Sequence, residues 1–132
     1  MRYLFAIAAI TVSAPIAAQS AWVPGSEIVG QSAQVTTAGI TNTVFLDAGG
    51  HARVITPTGR SVPASWTASG QRLCLYTGSA TECWPYETPF QAHKLTALSS
   101  SCGGLSEWVL NDVNALPAPP PPPVSEVLGE RG

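Results

Sequence analysis

The chain has 132 residues, of which only 11% are charged, and its formal net charge is −2. Charges of both signs are scattered along the sequence without a basic patch, which argues against nucleic acid or an anionic membrane surface as a partner. This length supports one domain with a core of modest size.

The N-terminus predicts export. Met1-Arg2 gives a short positive start, and an apolar run follows that ends in small residues at Ala18. This pattern is typical of a secretory signal peptide over residues 1–18. A membrane anchor is the less favoured alternative, because the run is short and is interrupted by polar residues and a proline. We therefore expect a periplasmic or extracellular protein with no membrane insertion after signal cleavage.

The rest of the chain is punctuated by Gly and Pro every few residues, which favours short strands and tight turns. No long segment shows apolar residues at helical spacing. The predicted strands, in chain order, are residues 34–37, 41–46, 51–56, 61–67, 71–77, 81–86, 93–98 and 107–110. Residues 19–116 are therefore expected to form an all-β domain, a small antiparallel β-meander built of sequential hairpins that closes as a barrel or sandwich.

The most specific pattern is a pair of cysteines around a turn. A two-residue type II′ turn at Gly78-Ser79 places Cys74 directly opposite Cys83, at a non-hydrogen-bonded pair. Cα atoms at such sites lie about 4.5 Å apart, which a disulfide can span. The sequence thus predicts a Cys74–Cys83 disulfide across the hairpin. Pro85 has no N–H for a further strand, so the second hairpin strand is expected at a sheet edge.

The third cysteine, Cys102, lies in the flexible run of residues 99–104 and has no partner in this pairing. A buried or loosely packed free thiol is the favoured reading, with an intermolecular bridge that gives a dimer as an alternative. A nucleophile is the third possibility, and it would need His51 or His93 nearby as base. No nucleophile motif surrounds Cys102, so no catalytic residue is assigned.

Metal ligands and paired carboxylates are also missing from the sequence pattern. There is no His-x-His or Cys-x-x-Cys motif, so no metal site or other cofactor is expected. The acidic residues are isolated in sequence, unlike the pair that a glycoside hydrolase needs. One of them, Glu82, faces Leu75 in the predicted hairpin and is expected on a solvated rim.

Four aromatic residues are the best candidates for ligand binding: Trp66, Tyr76, Trp84 and Tyr86. An aromatic-lined barrel mouth would stack an apolar ligand or a sugar. The alternative is that the rings form the core, because aromatics dominate burial in small β domains. Strand alternation sends Trp66 away from its polar neighbours, and the hairpin register places Trp84 opposite Leu73. We therefore expect these two tryptophans to be mainly core residues.

The C-terminal residues 117–132 form a separate, Pro-rich segment. Consecutive prolines favour polyproline II and offer few hydrogen-bond donors. A disordered tail or stiff spacer is the favoured prediction. Docking to an aromatic groove of another protein or to the cell envelope is the alternative.

One cassette carries a resemblance to other proteins. It reads Trp66-x-x-x-Gly70-x-x-Leu73-Cys74-Leu75, followed by Cys83-Trp84-Pro85-Tyr86. This order resembles that of small exported alphaproteobacterial proteins of unknown function, in which a Trp strand leads to a Leu-Cys strand and a second Cys. The resemblance covers residues 39–86 and implies a compact β-meander of lipocalin-like or avidin-like style. It implies no ligand-binding residue and does not extend to Cys102 or the tail.

These observations predict a non-enzymatic binding or interaction module for a small ligand, an envelope component or an envelope protein. A small secreted hydrolase, or an inhibitor of one, is the alternative. A filled barrel would favour a structural or protein-interaction role, whereas an open, aromatic-lined barrel end would favour ligand binding.

Overall fold

A computed structural model describes residues 22–116; the predicted signal peptide and Pro-rich tail lie outside the described residues. This range is all-β, apart from a single 3₁₀ turn at Ala48–Gly50. Within it, no helix is long and apolar enough to cross a membrane. Its strands are β1 (Gln31–Thr37), β2 (Ile40–Leu46), β3 (His51–Ile55), β4 (Ser61–Ser69), β5 (Arg72–Thr77), β6 (Ala80–Pro85), β7 (Leu95–Ser99) and β8 (Leu105–Leu110).

All eight strands belong to one antiparallel sheet in the order β6-β5-β4-β3-β2-β1-β8-β7. The two edge strands, β6 and β7, contact each other, so the sheet curls into a nearly closed barrel. Next to β7, Ser101 joins the edges: its N–H donates to the Cys83 carbonyl at 2.9 Å, and its Oγ accepts from the Cys83 N–H at 2.8 Å. The predicted all-β antiparallel fold is therefore confirmed, and of the two expected forms, barrel or sandwich, it takes the barrel.

The expected sequential hairpins form from β1 to β6 and again between β7 and β8, but β6 and β7 are not paired as a hairpin. β8, not β7, continues the sheet, by pairing with β1 from Ala33↔Leu110 to Thr37↔Ser106. Two features keep β7 from forming a ladder with β6. Pro85 lacks an N–H, and the outward backbone groups of Cys83 are already bonded to Ser101.

The stapled hairpin forms with the predicted register. Cys74 lies opposite Cys83, the two are joined by a disulfide, and their Cα atoms are 4.1 Å apart. Gly78 has a φ of 56°, and the φ of Ser79 is not positive. A type II′ turn requires this combination. A ring of this size stabilises the fold by about 2–3 kcal/mol through loop entropy. The predicted edge position of β6 is confirmed as well.

Three predicted strands begin two or more residues from the expected position. One is β8, which starts at Leu105 because this residue pairs with Ser99 of β7. β1 starts at Gln31, because this residue already pairs with Leu46 of β2. β7 starts at Leu95, because His93 has a φ of 63° and donates its N–H to the Leu110 carbonyl at 2.8 Å. The start of β7 is not marked by a turn residue in the sequence, whereas Gly30 directly precedes the start of β1.

One end of the barrel, here called the closed end, is covered by residues 22–30, here called the plug. The Gly30 N–H donates to the Leu46 carbonyl at 2.7 Å, and the Asn114 N–H donates to the Glu27 carbonyl at 2.8 Å. Both Glu27 and Ile28 are buried. The plug thus contributes to the core, whose largest fully buried side chains are Trp84, Trp108, Ile28, Leu46, Leu73 and Leu110.

Candidate functional site

The opposite end of the barrel, here called the open end, holds a cavity of about 360 Å³, here called the mouth cavity. Its side walls come from the inward faces of β1 to β6. The apolar part of this lining consists of Val35, Val44, Val54, Val62, Leu75 and Trp84. Polar lining residues form the rim, among them Thr37, Asn42, Thr77 and Glu82.

Strand alternation and side-chain size together explain the space. Along β4, inward-facing positions carry Val62 at the open end and Trp66 at the closed end. On the neighbouring strand, Val54 lies directly opposite Val62. Small β-branched side chains at these positions cannot fill a barrel cross-section that an indole fills further down. The cavity therefore follows from an uneven distribution of volume along each strand.

The floor of the mouth cavity is a fixed indole. The Nε1–H of Trp84 donates to the Ser106 Oγ at 2.8 Å, and Ser106 is hydrogen-bonded at 2.8 Å to the Thr37 Oγ1 on the neighbouring strand. The Trp84 ring meets Trp108 edge to face, with centroids 4.9 Å apart. These contacts hold Trp84 in one orientation, so its surface toward the cavity is preformed.

The rim of the mouth cavity carries one acid and one thiol. Glu82 is half-buried and accepts a hydrogen bond at Oε2 from the Ser100 hydroxyl. Cys102 is exposed, and its Sγ lies 3.6 Å from the Thr81 carbonyl oxygen. Among the lining residues in the range 22–116, Glu82 alone has a formal charge. The expected rim position of Glu82 is thus found, with part of its surface shielded from solvent.

The closed end contains a second acidic residue in a different setting. Glu27 is 1% exposed and accepts hydrogen bonds from the Tyr86 hydroxyl at 2.6 Å, the Phe90 N–H at 2.7 Å and the Trp22 Nε1–H at 3.0 Å. Burial, and secondarily the bond to Glu27, raise the pKa of Tyr86 well above its usual range. The Tyr86 oxygen also accepts from the Gly25 N–H at 3.1 Å. This cluster fastens the plug to the barrel.

The four predicted aromatic candidates are not brought together. Trp66 and Trp84 are 8% and 2% exposed, which confirms their predicted burial in the core. Trp84 also lines the mouth cavity, whereas Trp66 and Tyr86 pack near the plug. Tyr76 lies outside, with its hydroxyl 3.3 Å from the Thr67 Oγ1.

Several cavity residues were missed by sequence reasoning, and so was Glu27. The valines of the cavity wall read as ordinary alternating strand positions, and only the closed barrel shows that they face a common space. Glu27 precedes the first predicted strand, and its partners Tyr86 and Phe90 lie 59 and 63 residues away. No local pattern signals a contact over that distance.

The residues weighed for catalysis lie far apart in the topology. Cys102 lies at the open end, where it lines the mouth cavity. His51 starts β3 and His93 precedes β7, so both lie toward the closed end, and both are exposed. Within residues 22–116, neither histidine is hydrogen-bonded to Cys102, and no three potential metal ligands cluster. The fold thus does not bring together the Cys–His pair that a thiol nucleophile would use.

Comparison with known proteins adds no relative to this picture. The chain matches no protein-family profile, no curated protein sequence and no solved structure. The resemblance to small exported alphaproteobacterial proteins therefore stays a prediction.

Proposed function

We propose that this protein is a non-enzymatic binding protein of an exported compartment, which holds a small apolar ligand in the mouth cavity. The observation that carries the proposal is a preformed apolar space at the open end, walled by four valines and floored by Trp84. Ligand sites are concave and mostly apolar, with a few polar groups that fix orientation. The mouth cavity has that composition, with its polar groups on the rim.

The size of the space supports a small ligand. Typical ligand pockets measure about 300–1,000 Å³, and the mouth cavity, at about 360 Å³, lies near the lower bound. Apolar ligand surface buried there would gain about 25 cal/mol per Å². Because Trp84 is already held by Ser106, little ordering of the protein would oppose binding.

The exported location rests on two observations of different kinds. The Cys74–Cys83 disulfide is compatible with an oxidising compartment. The N-terminal pattern over residues 1–18 is that of a secretory signal peptide. An exported binding protein would meet its ligand in the periplasm or outside the cell.

Titration with the neutral dye N-phenyl-1-naphthylamine tests the proposal. Dye fluorescence should rise on binding and saturate, with energy transfer from tryptophan because Trp84 forms the floor. Val62→Phe places a ring in the cavity and narrows it, so it should weaken dye binding by about tenfold or more, equivalent to about 1.4 kcal/mol. Ser61→Phe is the matched control, since it adds the same ring to the exposed outer side of the same strand. An absence of saturable dye binding, or equal weakening by both variants, would overturn the proposal.

Cys102 provides a second readout, because it lines the mouth cavity and is exposed. Its labelling by a small maleimide should slow when the dye is bound to the wild-type protein. In the Val62→Phe variant, the dye should give no such protection. Dye binding with unchanged labelling of Cys102 would place the dye elsewhere and would contradict the proposal.

A further inference from the structure

The charge at the mouth cavity points to the chemistry of the ligand's polar end. Glu82 lies on β6 with its side chain on the inward face, directly opposite the buried Leu75. It lines the mouth cavity near the exposed rim residues Ala80 and Thr81. A ligand whose apolar body rests against Trp84 would therefore place its polar end beside this carboxylate.

The carboxylate of Glu82 is only partly used by the protein. Its Oε2 accepts from Ser100, and within residues 22–116 its Oε1 has no hydrogen-bond partner. Within residues 22–116 the ion pair joins Arg53 to Asp47. No Lys, Arg or His nitrogen of that range therefore lies within 4.0 Å of a Glu82 carboxylate oxygen. A half-buried carboxylate with a free oxygen and no cation attracts a positively charged hydrogen-bond donor.

The remaining rim groups are neutral. Asn42 and Thr77 offer an amide and a hydroxyl, and the Thr37 hydroxyl is already paired with Ser106. A carboxylate or phosphate at this position would meet Glu82 with no compensating positive charge among the described lining residues. The rim therefore disfavours acidic ligands such as fatty acids.

We infer that the mouth cavity selects an apolar amine, whose ammonium group donates to the Glu82 carboxylate while its hydrocarbon body occupies the valine-walled space above Trp84. This inference rests on the proposed function and adds the class of ligand to it. It makes Glu82 a specificity-determining residue.

A matched series with one hydrocarbon body tests the inference. Octylamine, octanol and octanoate are each titrated against the bound N-phenyl-1-naphthylamine at neutral pH and low salt, where surface charge is least screened. The expected order of affinity is octylamine, then octanol, then octanoate, with at least about tenfold between the amine and the acid. Raising the salt concentration should narrow that gap.

Two variants locate the effect. Glu82→Gln keeps an acceptor for Ser100 but removes the charge, so it should weaken octylamine binding about tenfold more than it weakens octanol binding. Glu107→Gln removes an exposed carboxylate from the outer face of β8 and should change none of the affinities. Thermal unfolding of both variants checks that the fold is intact.

The outcomes separate the two proposals. The amine inference would be overturned if octanoate bound as tightly as octylamine, or if Glu82→Gln and Glu107→Gln changed octylamine binding equally. Saturable dye binding in the same experiment would still support the proposed function. If neither the dye nor any octyl compound bound, the proposed function itself would fail, and the amine inference with it.

Discussion

The closed and open ends of this barrel are built on the same strands but filled differently. At the closed end, indole and phenyl rings pack against the plug: Tyr86 stacks on Phe90 with centroids 5.3 Å apart, and Phe90 stacks on Trp108 at 5.7 Å. At the open end, half-buried valines such as Val54 and Val62 face a space they do not fill. The densest packing therefore lies at one end of the barrel, and the proposed binding site lies at the other.

The acids Glu27 and Glu82, one at each end of the barrel, show the same contrast. Glu27 receives three donors and is shielded from solvent, so it acts as a structural acceptor. Glu82 receives one donor and keeps an oxygen free beside a cavity. A buried carboxylate whose oxygens all accept hydrogen bonds makes the fold more rigid. A carboxylate with a free oxygen beside a cavity can accept a hydrogen bond from a ligand.

The largest effect on stability is expected when Trp66, the tryptophan of β4 at the closed end, is replaced by alanine. Trp66 is 8% exposed, and its Nε1–H donates to the Asp47 carbonyl at 2.8 Å. Trp66→Ala should cost about 3–5 kcal/mol of unfolding free energy, measured by denaturant titration. Val62→Ala, on the same face of the same strand at the open end, should cost about 1 kcal/mol because its side chain is already half exposed. Equal costs would contradict the contrast between the two ends.

The two acids should respond differently to the same substitution. Glu27→Gln places an NH₂ group among three donors and should cost about 2–3 kcal/mol of stability. Glu82→Gln should stay within about 0.5 kcal/mol of wild type, as a partly exposed side chain with one hydrogen bond. Thermal and denaturant unfolding of the pair measure this. If Glu27→Gln left the free energy of unfolding unchanged, the cluster would not be what fastens the plug to the barrel.

A pH dependence should come from the closed end as well. Because the pKa of Tyr86 is raised in the folded state, the unfolded chain releases this proton first, near pH 10. The contribution of Tyr86 to the free energy of unfolding is therefore complete below that pH. Above it the contribution falls by up to about 1.4 kcal/mol per pH unit. Tyr86→Phe should remove this slope, and Tyr76→Phe on the outer face should retain it. A phenolate absorbance titration that showed Tyr86 ionising near pH 10 in the folded protein would refute the prediction.

The smallest effect is a difference in stability between alanine substitutions at two glycines of the plug. Gly25 and Gly30 both have positive φ, at 92° and 78°, so alanine is strained at either position. A Cβ at Gly25 would lie 3.2 Å from the Trp66 ring, whereas one at Gly30 would meet nothing within 4 Å. Gly25→Ala should therefore be about 1 kcal/mol less stable than Gly30→Ala, as measured by melting temperature. Identical melting temperatures would mean that the plug does not press on the core at Gly25.

Short-range chemistry explains which predictions from the sequence are confirmed. Alternation predicts the strands, the Gly78-Ser79 turn sets the register that joins Cys74 to Cys83, and Pro85 marks an edge. Each of these depends on residues that are near one another in the chain, so composition and spacing suffice.

Long-range contacts had to come from the tertiary structure. The pairing of β8 with β1, the Glu27 cluster and the mouth cavity join residues far apart in sequence. Alternation tells which side of a strand faces inward, but not how much volume the other strands contribute at the same level. By itself the sequence determined the register of the hairpin and its disulfide, and it predicted an exported β domain. Only the closed barrel decided that one end is packed with rings and the other is left open beside Glu82, because a cavity is a property of all the facing side chains together.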